Sequence, residues 1–127
     1  MNIAIWILQI LLAAAFLAHG WMFLFPSPEI AALMNASLPR PFTLFLGVAE
    51  IMAAVGLVLP GLTRILPSLV AWAAAGVVVV VGSATVYHLL RGEISSAATT
   101  FVLALLAGFV AYMRFGVMPI QPRRVGA

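Results

Sequence analysis

The chain reads as four long apolar runs separated by short polar or proline-containing breaks. The runs cover residues 2–25, 42–59, 65–90 and 94–113. A helix needs about 20 apolar residues to cross a bilayer, and each run falls near that length. Pro26 and Pro28 close the first run, and Pro60-Gly61 closes the second, because proline lacks the N–H that a continuing helix requires. Between these two runs, residues 29–36 place Ile30, Leu33 and Met34 on one helical face after Ser27. Serine is a good N-cap, so this stretch predicts a short helix lying in the interface. Strands of a membrane barrel would alternate apolar and polar positions, and runs such as 77–81 do not. The connections at 60–64 and at Arg91-Gly92-Glu93 are too short for anything but antiparallel neighbours. The expected fold is therefore all-α: a polytopic membrane protein with four transmembrane helices, forming a single domain over 1–127.

Composition supports the same solvent. Of 127 residues, 65% are hydrophobic and 7% are charged, whereas soluble domains carry roughly 25% charged residues. The first run is longer than the apolar core of a secretory leader, about 7–15 residues, and no Lys or Arg precedes it. It is expected to span rather than to be cleaved. The net charge of +3 comes from six arginines at helix ends and in the tail. There they are expected to meet lipid headgroups, with Arg40 snorkelling beside the short second run. They form no basic run that would track a nucleic acid. The absence of cysteine removes thiol chemistry and disulfides. An even number of spans puts both termini on one side with Arg64, Arg114, Arg123 and Arg124, against Arg40 and Arg91 on the other. The positive-inside rule then predicts cytoplasmic termini in the cell membrane.

Polar side chains inside such runs carry the candidate chemistry, because an intramembrane ionisable group is costly and usually faces protein or water. Glu50 sits near the middle of the second run. Thr43, Gly47, Glu50, Ala54 and Leu57 recur at helical spacing, so the carboxyl lies on a face of small residues that lets helices approach closely. It can serve as acid, base or acceptor in a cavity, or as a structural carboxyl. His19, late in the first run, is the expected partner across helices one and two. Gln9 lies deeper and reads as helix-to-helix glue.

Ser83, Thr85, Tyr87 and His88 end the third run on two adjacent faces. The stripe Trp72, Gly76, Ser83, Tyr87 is the expected bundle side. On the fourth run Ser96, Thr100, Ala104, Ala107, Gly108 and Ala111 make a packing stripe, with Thr100 able to offer a hydroxyl to a ligand. Topology gathers His19, Glu50, Ser83, Tyr87, His88 and Thr100 in the half of the bundle away from the termini, capped by Arg40 and Arg91. The terminal half reads as nearly inert. A metal is not expected, since helical rise sets His88 about 15 Å from Glu50 and ligands must converge within about 2 Å of one ion. No resident cofactor is expected.

Three stretches also resemble a known family. Ala18-His19-Gly20 is similar to the end of the first helix of DoxX-like membrane proteins, Gly47-Val48-Ala49-Glu50 with Gly56-Leu57-Val58-Leu59-Pro60 to their second helix, and the run from Ala84 through Tyr87-His88 to Arg91-Gly92-Glu93 to the end of their third. Many relatives carry a Lys just after the first-helix Gly, where this chain has Trp21, Met22 and Phe23. The resemblance implies the four-helix fold. It also implies a link to quinone-dependent redox systems, which some relatives serve as subunits or partners.

Three functions compete at this stage. One is an enzyme doing acid–base work on a lipophilic small molecule: isomerisation, cyclisation or epoxide opening. Glu50 and His19 would be its catalytic pair, and Tyr87, His88, Ser83, Thr100 and Arg91 would bind substrate. The second is a quinone-binding accessory subunit of a membrane redox system. The third is a non-catalytic scaffold or binder, as a homo-oligomer or with a partner subunit.

Overall fold

The computed structural model describes residues 1–124; residues 125–127 lie outside the described part of the chain. Among the described residues there are five α-helices and no strand. Four of these helices are long and apolar enough to cross a membrane.

Helix α1 spans Asn2–Leu24 and ends where the Phe25 N–H closes back on the Trp21 carbonyl, just before Pro26. Helix α2, Pro28–Ser37, starts as its sequence predicts: Ser27 Oγ accepts from the Ile30 N–H at 3.4 Å, and proline occupies the first helical position.

Helix α3 covers Arg40–Thr63 and therefore runs through Pro60 rather than stopping at residue 59. A helix that ended there would leave its last carbonyls bare in an apolar layer, where water cannot satisfy them. One missing N–H is the smaller cost. The Thr63 hydroxyl donates to the Leu59 carbonyl at 3.0 Å, and Arg64, at φ 57°, ends the helix in the left-handed region.

Helix α4 spans Leu69–Leu90 and starts four residues later than expected. Leu66 precedes Pro67, and the proline ring disfavours helical backbone at that residue. Leu66 takes φ 48° instead, so residues 64–68 form the turn. Helix α5 runs Ile94–Tyr112 and continues into a π-turn, Met113–Val117, closed by the Met118 N–H on the Met113 carbonyl at 2.6 Å.

The helices pack as two intimate pairs, α1 with α3 and α4 with α5, joined chiefly along α3 and α4. Ile5, Leu12 and Phe16 meet Ala54, Leu57, Ala74, Val77, Val81, Ala107 and Val110 in a thin core. Only 22–33% of the positions in each span are buried, and the large outward side chains are chiefly Leu, Ile, Val, Phe and Trp. That is the surface of a molecule whose solvent is lipid.

The inward face of α4 is Val70, Ala74, Val77 and Val81. The stripe expected on its bundle side is displaced from this face: Trp72 is 64% exposed, and Ser83 is exposed with its hydroxyl donating to its own helix at Val79.

Candidate functional site

Glycines set the geometry on which the site depends. At the crossing of α1 and α3, Gly20 backs onto Gly47, and a methyl group at Gly20 would stand 2.8 Å from the Gly47 carbonyl oxygen. Backbones this close bring the flanking side chains into reach. His19, beside Gly20, and Glu50, one turn on from Gly47, meet with Nδ1 and Oε2 2.7 Å apart. A contact this short is a hydrogen bond.

The two partners live in different surroundings. The Glu50 side chain is 7% exposed and that of His19 48%. Phe23 lies against the imidazole, with ring centres 4.4 Å apart and planes tilted by 45°. Arg40 sits just beyond and donates from Nη1 to the Phe23 carbonyl at 2.6 Å and from Nη2 to the Leu24 carbonyl at 2.9 Å. It caps the carbonyls left open at the end of α1, so it serves protein backbone rather than a lipid headgroup.

A cavity of about 180 Å³ adjoins Glu50 between α1, α3 and α4. Phe16, Ala49, Ala53, Ala73, Val77 and Val80 form most of its wall, and among the described residues Glu50 is the only ionisable group in it.

The remaining candidates are not brought to this cavity; Ser83, Tyr87, His88, Arg91 and Thr100 are all outside its wall. Thr100 and Thr85 instead pair across α4 and α5, hydroxyl to hydroxyl at 2.8 Å. Tyr87, His88, Arg91 and Glu93 form a second cluster at the α4–α5 turn. Arg91 Nε donates to Glu93 Oε1 at 2.6 Å, its guanidinium lies 5.4 Å from the Tyr87 ring centre, and His88 Nδ1 stands 3.6 Å from Glu93 Oε2. The hydrogen bond to Glu93 is the main reason that the Arg91 pKa is raised above the ordinary arginine value. Among the described residues no three ligating side chains gather at one point.

Sequence reasoning misses one group entirely. Arg114, expected among headgroups, is 4% exposed. Its Nε donates to Gln9 Oε1 at 2.6 Å, and its Nη1 donates to Asn2 Oδ1 at 2.8 Å and to the Met118 carbonyl at 2.9 Å. Gln9 in turn donates to the Leu57 carbonyl at 2.7 Å. It thereby does the helix gluing expected of it. The terminal half of the bundle is therefore polar inside, not inert. A signal for this exists in the sequence: the stripe Ala107, Ala111 of α5 continues at helical spacing to Arg114, and Asn2, Trp6 and Gln9 share one face of α1.

The fold and this arrangement define a four-helix membrane bundle in which a buried carboxyl meets a half-exposed imidazole. More specifically, the chain belongs to the DoxX-like family, whose family model matches residues 7–110. No match was found among curated proteins or among solved structures.

Proposed function

We propose that this protein is a membrane-embedded acid–base catalyst acting on a neutral, lipophilic small molecule, with Glu50 moving the proton and His19 exchanging it with the surroundings. The observation that carries this reading is the 2.7 Å His19–Glu50 contact at the edge of a cavity that is otherwise apolar. An apolar wall favours a greasy substrate, and a low-dielectric site strengthens whatever electrostatic contact Glu50 makes with it. With Nδ1 committed to Glu50, Nε2 of the half-exposed imidazole is the atom that can trade protons with the interface. Such a relay serves isomerisation, cyclisation or epoxide opening, each of which needs a proton removed at one atom and delivered at another. A quinone would find a single ionisable partner in this wall for two carbonyls at opposite ends of its ring, which favours the acid–base reading over a redox accessory role.

The test is solvent isotope incorporation. Lipophilic molecules extracted from the host membrane are incubated with purified protein in D₂O and examined by mass spectrometry. The native chain is expected to place deuterium in one of them. Glu50→Gln should slow this by about 10²–10⁴-fold, the usual weight of a general acid or base. Equal incorporation by a folded Glu50→Gln variant would remove Glu50 from the chemistry. A quinone recovered with the protein and free of deuterium would move the assignment to the redox role.

The proposed setting is the cell membrane, with both termini in the cytoplasm. Arg40 is committed to capping α1 and Arg64 to carbonyls of the tail, yet Arg123 and Arg124 at the terminal end still outnumber Arg91 at the other.

A further inference from the structure

Among the described residues, Arg114 is a buried cation without a counter-charge. Its three hydrogen bonds go to Gln9, Asn2 and the Met118 carbonyl, all neutral, and its Nη2 has no hydrogen-bond partner among the described residues. The chain has three acidic side chains. Glu29 lies in α2 and Glu93 in the α4–α5 turn, both at the opposite end of the bundle, while Glu50 is engaged with His19. A guanidinium withdrawn from water and left unneutralised is costly, and here it is also held in place by both pairs of helices.

Beside it is a cavity of about 320 Å³, with Arg114 in the wall. Pro67, Ala71, Phe115 and Ile120 make that wall apolar, Ser68 adds a hydroxyl, and among the described residues Arg114 is its only charged one. The N-terminal end of α4, with its partial positive charge, opens on the same space through Ser68 and Ala71. Arg64 ties the tail across one side, donating from Nε to the Gln121 carbonyl at 2.8 Å and from Nη2 to the Pro122 carbonyl at 3.3 Å, and Pro122 belongs to the wall.

We propose that this cavity binds an amphiphile with an anionic oxygen head, the head neutralising Arg114 and the apolar walls taking the first part of its tail. An inorganic anion would satisfy the cation but leave the walls empty, and a neutral lipid would do the reverse. The shared chemistry, a carboxylate or phosphate on a hydrocarbon chain, comes from a free fatty acid or from a phospholipid. The site is separate from the Glu50 cavity and does not depend on its function. Asn2 and Arg114 both fall outside the matched family segment.

The experiment is equilibrium binding of radiolabelled oleate and of lysophosphatidic acid to delipidated protein in mild detergent, with oleyl alcohol and inorganic phosphate as comparisons. One of the two charged amphiphiles is expected to bind at least about tenfold more tightly than oleyl alcohol, the weight of one charge-assisted hydrogen bond. Preference for oleate identifies a fatty acid, and preference for the phosphate head a phospholipid. Arg114→Gln, which removes the charge, and Ser68→Trp, which fills the cavity, should each weaken binding by a similar factor. Oleyl alcohol binding as tightly as both charged probes overturns the proposal, and so does inorganic phosphate binding as tightly as either amphiphile. Where Arg114→Gln fails to fold, Ser68→Trp decides: native affinity in that variant overturns the assignment.

Discussion

Gly20 and Gly47 lie back to back where α1 crosses α3, so close that a methyl group on either would stand within 3.0 Å of the other's carbonyl oxygen. The obstacle is backbone, which cannot swing aside as a side-chain tip can. Gly20→Val must therefore push the helices apart, which is expected to destabilise the bundle by about 1–3 kcal/mol and to break the His19–Glu50 contact. Thermal unfolding in detergent and the deuterium assay read the two effects. Gly82 is the control, since a methyl group there would meet nothing within 4 Å. Gly82→Ala should leave both readouts unchanged or raise stability by up to about 1 kcal/mol.

Arg40 predicts a more local effect. Its two nitrogens reach two different carbonyls of the last turn of α1, a fork geometry that a lysine ammonium reproduces poorly. Arg40→Met is expected to cost about 1.5–3 kcal/mol, as loss of a charge-assisted bond does. It should also speed hydrogen exchange at amides near His19. Arg40→Lys should recover part of the stability only. Native exchange rates in Arg40→Met would mean that the guanidinium is incidental to the end of α1.

Much of this fold is legible because lipid leaves the backbone few choices. The stripe Thr43, Gly47, Glu50, Ala54 and Leu57 is the buried face of α3, and Ser27 caps α2, since both depend on helical spacing and local bonding alone. Pro60 reads as a stop because proline ends helices in water; inside an apolar layer the carbonyls must be satisfied regardless. The pairing of His19 with Glu50 is legible as a candidate because both lie toward the same end. The placement of Ser83, Tyr87 and His88 is not. Nearly every position of α4 is apolar, so its sequence contains little contrast from which to read a face. Arg114 escapes for a different reason: a charge near a helix end is ordinarily solvated, and only the approach of Asn2 and Gln9 from the far end of the sequence makes it buried.

Thr100 separates gluing from binding. Its hydroxyl pairs with Thr85 at 2.8 Å between α4 and α5, outside the wall of the Glu50 cavity. Hydrogen bonds between membrane helices average about 0.6 kcal/mol. Thr100→Val is therefore expected to lower stability by about that amount and to leave deuterium incorporation at the native rate. A large loss of incorporation with little loss of stability would return Thr100 to the substrate site.

Orientation can be tested cleanly because the chain contains no cysteine. Ser37, at the end of α2, and Gln121, in the tail, are both exposed and lie at opposite ends of the bundle. Single Ser37→Cys and Gln121→Cys variants therefore report the two sides without background. With Arg64, Arg123 and Arg124 on the retained side, a membrane-impermeant maleimide added to intact cells should label Ser37→Cys. Gln121→Cys should react only after the membrane is opened. Labelling at Gln121→Cys from outside, with Ser37→Cys protected, would reverse the topology. It would also reverse the direction from which a proton reaches His19, since that half-exposed ring lies nearer the Ser37 end of the bundle than the Gln121 end.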